Sequence, residues 1–592
     1  MIKGLLFFIK FSWINKKSYL FLNVIHQLLI GFLPIISITI PTFIIDELLG
    51  QQHLLNITFY LLILLFSLFL NNWLIPHIGL QIFNQRCYLV AHFDKFMHQK
   101  LANTDYCNLE SPGFFDMKEK ANKFLYGDGQ GFCYVLESAF SIIGKMFTLF
   151  SIVFIVLTMN VAIMIIFILI IISSAIVDSK VKKKSYKLTL EAVMTERRWS
   201  YFGRILEDVS YSKEIRMNNI SNWLIDSEMD FACKAIEFYK KRNRYFSVAS
   251  LINALSLLLQ NGITYIFLIY NILVQKMTIG QFMMYINAVS VFSTSVKDVI
   301  SSIIDIRVYG VYFEAFDRYI NIPETIRDNK KISIPETEEF IITFRNVSFK
   351  YPGQDKYVLR NINIEIKSQM KLAVVGENGA GKTTFVKLLC RLYDPTEGEI
   401  LLNGINIKDI DYDQYIKLFS AVFQDFKLFA FSIKDNILFR NGSDSDNEMT
   451  NNLLQKVGME KKICSLPRGI ETNIYKEFDE NGFEPSGGEG QKIAIARALA
   501  KQAKFVILDE PLSALDPRAE YEIFQQFNEL VHQRTAIYIS HRLSSCQLCD
   551  AIVVFKQGAI IEYGTHKELM LKEGTYAELY NLQAKYYIKQ EK

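Results

Sequence analysis

Six apolar runs fill the first half of the chain, each long enough to cross a bilayer as a helix: Tyr19 to Ile45, Leu54 to Leu80, Tyr134 to Thr158, Val161 to Val177, Phe246 to Val274 and Phe282 to Ile306. An even number of spans returns the chain to its starting side. The connections after the first, third and fifth runs are short and carry one basic residue, Lys276. The other side carries Lys16, Lys17, Arg86, Lys95, Lys100, Lys180, Lys182, Lys183 and Lys184. Basic residues mark the cytoplasmic side, so both termini are expected in the cytoplasm.

The two cytoplasmic connections, about residues 81 to 131 and 178 to 245, are too long for turns and read as polar helices that continue the adjacent spans. Twenty extra residues on each side of a turn would carry them roughly 30 Å below the membrane. Their interruptions, Ser111-Pro-Gly-Phe-Phe115 and Met217 to Trp223, are the tips where a cytoplasmic domain could be touched. Ahead of the first span, Ile2, Leu5, Leu6, Ile9 and Trp13 recur at helical spacing beside Lys3 and Lys10, which suits a helix in the membrane interface. Lys10 interrupts that run and no small-residue cleavage site follows, so no cleaved signal is expected.

From about Glu338 the pattern changes to alternating strands and helices punctuated by glycine, the sign of an α/β domain. Within it, Gly376-Glu-Asn-Gly-Ala-Gly-Lys-Thr383 fits the phosphate-binding loop GxxxxGK[ST] without a mismatch, between the apolar strand Lys371 to Val375 and a helix from Thr384 to Leu392. In that setting the backbone N–H groups of Glu377, Asn378, Gly379, Ala380 and Gly381 face an anion, and the helix start adds positive potential. Lys382 is expected on the β- and γ-phosphates and Thr383 on Mg²⁺, with Thr384 following. A second apolar strand, Phe505 to Leu508, ends in Asp509-Glu510; the first carboxylate suits Mg²⁺ and the second an attacking water. ATP and Mg²⁺ are thus the expected cofactors. A net charge of only +4 over 592 residues gives a nucleic-acid role little support. The eight cysteines are scattered, and the lone Cys546-Gln-Leu-Cys549 pair lacks a second pair to complete a zinc site; it reads as helix-surface and core thiols.

With these motifs in order, the chain resembles the ATP-binding cassette transporters, specifically exporters with six spans fused to one nucleotide-binding domain. The resemblance is carried further by Pro485-Ser-Gly-Gly-Glu-Gly-Gln491, which stands where the family has its LSGGQ signature, before a helix from Lys492 to Ala500. It implies a membrane domain with long cytoplasmic helix extensions, followed by an α/β phosphate-loop ATPase domain with a helical subdomain. It also implies a dimer with two ATP molecules at the cassette interface, where Ser486, Gly487, Gly488 and Glu489 of one copy meet the γ-phosphate held by the other. Tyr351 matches the aromatic that stacks on adenine, and Gln424 the glutamine that reaches Mg²⁺ and the lytic water. Glu510 matches the general base, Asp516 the acid that crosses the interface, and His541 the switch histidine on the γ-phosphate. Residues 111–118 and 217–223 sit where the family has its coupling helices, and Glu480 where it has an acidic cross-linking loop.

The domain boundaries that follow are 1–18 for an interfacial elbow helix, 19–310 for six transmembrane helices, 311–337 for a linker and 338–592 for the cassette. Pro485 replaces the family's leucine, Glu489 its glutamine and Leu512 its threonine; the change at Glu489 reads as mild. The intact phosphate loop, Glu510 and His541 favour a homodimer over a heterodimer. The expected function is ATP-driven export of a peptide or amphipathic small molecule across a bacterial cell membrane, in contact with its lipid and with the cassette in the cytoplasm. A lipid flippase and an ATP-gated, non-transporting sensor or channel are the alternatives. Span residues Asn23, His26, Asn253, Gln260, Asn261, Lys297, Asp298 and Asp305 are costly in a bilayer and point to a cavity or to mutual pairing, with Asp298 and Asp305 read as solvated near the cytoplasmic end. No leader-cleaving domain is expected ahead of the first span.

Overall fold

The computed structural model describes residues 2–50, 52–126, 131–159, 161–274, 277–327, 332–335, 337–440, 444–509, 531, 533–540, 543 and 545–588. They fall into two compact units, one comprising 1–102 and 112–322, the other 103–111 and 323–592.

The first unit is helical. α1 (Ile2–Asn15) precedes α2 (Lys17–Leu49), α3 (Leu54–Phe69) and α4 (Ile75–Asn103), the last two joined by a single wide π-turn, Leu70–Leu74. α5 (Tyr106–Leu109) belongs to the second unit, and α6 (Pro112–Tyr126), α7 (Gly131–Met159), α8 (Val161–Glu207), α9 (Ser212–Met217), α10 (Ser221–Leu273) and α11 (Ile279–Ile320) return to the first. Gly4, Phe8 and Ser12 form the buried face of α1, and Leu6, Ile9 and Trp13 its exposed face. α7 packs against both α2 and α11, and α8 lies along α10. The α2–α7 crossing depends on two glycines. A Cβ on Gly31 would lie 2.5 Å from the Gly144 carbonyl oxygen, and Thr148 Oγ1 donates to the Gly31 carbonyl at 2.9 Å. Helices approach this closely in a bilayer through small residues, because lipid supplies no hydrophobic drive to bring them together.

Five helical stretches among the described residues are apolar and long enough to span a membrane: Lys17–Leu49, Leu54–Asn103, Phe132–Thr158, Ile163–Thr189 and Ser221–Leu273. α11 takes the sixth place, but Lys297, Asp298 and Asp305 interrupt its apolar run, and it continues past residue 310 to Ile320. Asp298 and Asp305 are not simply solvated. Lys145 of α7 pairs with Asp298 at 2.9 Å, and Lys182 of α8 pairs with Asp305, whose other oxygen accepts from Tyr134. Other span polar groups also pair. Ser293 donates to Gln260, Asn253 to Asp178, and Asn23 to the Tyr19 carbonyl.

The second unit holds two sheets. β1 (Ile342–Phe349), β2 (Leu359–Ile366), β4 (Glu397–Leu402) and β5 (Ile405–Asn406) form an antiparallel sheet in the order β2-β1-β4-β5. β3 (Lys371–Gly376), β6 (Phe419–Val422), β7 (Phe505–Asp509), β8 (Thr535–Ile539), β9 (Ala551–Lys556) and β10 (Ala559–Gly564) form the other, in the order β10-β9-β3-β8-β7-β6. All but β10 run parallel there. β3, β7 and β8 are almost wholly buried, so they read as continuous apolar runs, as strands covered on both faces must. Helices Asp444–Lys456, Glu460–Cys464 and Gly487–Ala500 join the core on one side of this sheet, giving the expected helical subdomain.

Candidate active site

Register brings the site together. Val374 of β3 is level with Ile539 of β8, Ile539 with Asp509 of β7, and Leu508 of β7 with Val422 of β6. Four carboxyl ends therefore share one edge, the edge at which parallel sheets bind ligands. The residues at that edge are Gly376 at the end of β3, Gln424 after β6 and Asp509 at the end of β7. Glu510, Asp516 and His541 lie outside the described residues.

The loop after β3 is a cradle that admits no side chain at two of its corners. Gly376 has φ +150° and a Cβ there would lie 2.3 Å from the Phe555 carbonyl oxygen; Gly381 has φ +106°, with a Cβ 2.6 Å from Leu359 Cδ2. Gly381 caps the helix Lys382–Leu389, which begins two residues earlier than the sequence suggests. The Lys382 ammonium arches back over the loop, donating to the Gly376 carbonyl at 2.8 Å and the Glu377 carbonyl at 3.0 Å, and is 5% exposed. Thr383 and Gln424 are exposed and Asp509 is buried. These residues suit a nucleotide phosphate with Mg²⁺. No cluster of three His, Cys, Asp or Glu exists among the described residues to cage a metal by itself, and a hydroxyl, an amide oxygen and one carboxylate are what a cation that keeps its waters and shares phosphate oxygens uses.

Tyr351 leaves β1 with its hydroxyl 3.0 Å from Thr384 Oγ1 and its ring edge-on to Phe349 and Tyr393. With Cys107, Ile326, Gln354 and Thr396 it lines a cavity of about 460 Å³. The signature differs from the sequence reading. Its helix begins inside the motif, at Gly487, with Ser486 as N-cap, and Glu489 completes a capping box. Ser486 is exposed and Pro485 precedes the cap, where its missing N–H costs nothing. Glu480 is exposed, and Cys546 and Cys549 are both buried.

Residues 103–111 pack with this second unit, and the first interruption lies at 104–111, between the end of α4 and the start of α6, and not at 111–115. Pro112 opens α6, a favoured place for proline, and the break therefore precedes it. Asp105 caps the chain at Thr325, accepting from its N–H at 2.8 Å and its hydroxyl at 2.6 Å. Glu110 accepts from Lys387 at 2.8 Å and, through its other oxygen, from Tyr393. Lys387 lies one turn beyond Thr383 on the phosphate-loop helix, with the rings of Tyr106, Tyr351 and Tyr393 around it. No sequence signal marks Glu110, because its partners come from 277 and 283 positions away. The second interruption is Asn218 to Ile220, between α9 and α10.

Burial opposes the Glu110 carboxylate, but its hydrogen bonds from Lys387 and Tyr393 outweigh it and hold the group below the usual carboxylate range. Burial also opposes the Lys387 ammonium, and Glu110 outweighs it upward. The stability this pair adds is complete between the ordinary carboxylate and lysine ranges. It is lost as pH falls through the depressed Glu110 value or rises through the raised Lys387 value. Glu110→Gln is expected to lower the melting temperature of the second unit, followed in the full chain at neutral pH, by about 1–2 °C. That deficit should close in strong acid; a deficit independent of pH would show that the charge is not what stabilises.

A helical membrane-type unit followed by an α/β unit with a phosphate loop defines a membrane ATPase that couples nucleotide turnover to transport. The chain belongs to the ABC transporter family. A family model for the ABC transporter domain matches residues 359–513. The subtilin transport ATP-binding protein SpaT of Bacillus subtilis is 30% identical over 559 residues, 93% of this chain and 89% of that protein. The nisin transport ATP-binding protein NisT of Lactococcus lactis subsp. lactis is 27% identical over 585 residues, 95% and 94% of the two chains. The solved structure of a bacterial Atm1-family ABC exporter with ATP bound superposes with a TM-score of 0.77 at 21% identity, over 96% of this chain and 98% of that one. The fold is thus of the exporter type.

Proposed function

We propose that two copies of this chain form a homodimeric exporter in a bacterial cell membrane, cassettes in the cytoplasm, moving a peptide or another amphipathic molecule outward. The observation that carries this reading is the division of the phosphate-handling parts: the loop, Gln424 and Asp509 gather at the carboxyl edge of one sheet, while the exposed Ser486 opens a separate helix. In a sandwich of two copies, Ser486 of one meets the phosphate held by Lys382 of the other. Mg²⁺, when bound, neutralises charge that develops on the transferred phosphoryl group. Thr383, Gln424 and Asp509 would hold it. Glu510 takes a proton from the attacking water, His541 donates to the γ-phosphate, and Asp516 crosses the interface. Closure of the cassettes shifts the helices from inward-open to outward-open because ATP binds the closed state more tightly.

An apolar, aromatic membrane unit supports an amphipathic cargo, and the full-length relatives are named for subtilin and nisin transport. The lysine-paired acids of α11 make poor sites for a charged cargo. The test is Mg²⁺-dependent ATP turnover by the purified chain alone in lipid nanodiscs, with amphipathic peptides and lipids titrated separately. Turnover raised by peptides is the expected result. Stimulation by lipid alone would favour a flippase, and negligible turnover from folded, ATP-binding protein would mean a different partner chain.

A further inference from the structure

We infer that the Glu489 carboxylate guards the phosphate face of the signature helix, and that Lys462 is the counter-charge onto which it turns when a nucleotide phosphate reaches Ser486. The inference rests on the sandwiched-dimer reading. One oxygen of Glu489 accepts from the Ser486 backbone N–H at 2.8 Å and from its hydroxyl at 2.9 Å; the other lies 3.5 Å from the Lys462 ammonium. The Ser486 hydroxyl and the positive end of a 14-residue helix are therefore already engaged by an anion of the chain itself. A γ-phosphate arriving there meets a like charge and a hydroxyl already donating elsewhere.

Lys462 supplies the way out. It sits beside the carboxylate, 43% exposed, over the ring of Phe483, and the 3.5 Å separation leaves room for a tighter pair once Ser486 is released. Burial raises the Glu489 carboxyl, but Ser486 and Lys462 outweigh it downward, which keeps the guard ionised at neutral pH. Glutamine at this position would keep an oxygen for the Ser486 N–H, so the helix cap survives Glu489→Gln and only the charge is lost.

The experiment follows cassette closure in the full chain by a distance label as a non-hydrolysable ATP analogue is titrated. Glu489→Gln is expected to lower the midpoint roughly fivefold, the effect of two unit charges a few ångström apart in water. Lys462→Met is expected to raise it by a similar factor in the wild type and to do nothing in the Glu489→Gln background. Both shifts should shrink at high salt. Closure with an unchanged midpoint in Glu489→Gln, or an equal Lys462→Met effect in both backgrounds, would overturn the inference and leave the dimer intact. Absence of closure in every variant would overturn the dimer reading and the inference with it.

Discussion

Glu510→Gln is expected to lower ATP turnover by about 10²–10⁴-fold while leaving ATP binding intact, the loss that removal of a general base produces. The amide still hydrogen-bonds a water but cannot accept its proton. The assignment rests on sequence position: Glu510 follows Asp509, which ends a fully buried strand whose carboxyl end is level with those of its neighbours. Phosphate release and equilibrium binding of a fluorescent ATP analogue, measured on the same preparation, separate the two effects. Turnover at the wild-type rate would remove Glu510 from the mechanism.

Lys382→Met should behave differently, losing both binding and turnover. The methionine keeps the apolar stem that is buried with the loop and removes only the ammonium. A charge-assisted hydrogen bond contributes about 1.5–3 kcal/mol, so ATP binding should weaken by roughly 10- to 100-fold. Turnover should fall by about 10²–10³-fold, as when one preorganised donor is taken from developing charge. The Gly376 and Glu377 carbonyls, which now accept from Lys382, would lose that donor, so a circular dichroism melt must accompany the kinetics. Unchanged ATP affinity in a folded variant would show that the loop's N–H groups alone hold the nucleotide.

The phosphate loop is eight consecutive residues whose function depends on backbone curvature, so glycines at fixed spacing reveal it. The spans are equally local, since an apolar run needs no partner to be recognised. Glu489 was legible as a letter in a motif but not as a carboxylate that engages Ser486, because a capping box exists only once the helix begins at Gly487. Proline and glycine at 112 and 113 look like a turn and place the tip at 111–115, but proline also starts helices, and the break falls ahead of it at 104–111.

The class of this protein can be read along the chain, from the six apolar runs, the loop Gly376 to Thr383, the signature at Ser486 and their order. Each is a short-range pattern whose physics is complete within a few turns or one strand. Which charges meet is settled by packing across the fold. Lys145 with Asp298, Lys182 with Asp305, Glu110 with Lys387 and Lys462 with Glu489 join residues from different elements. A charge in an apolar helix or at a helix end carries no record of its partner. The pairing is fixed by packing and sheet register, which are properties of the whole fold.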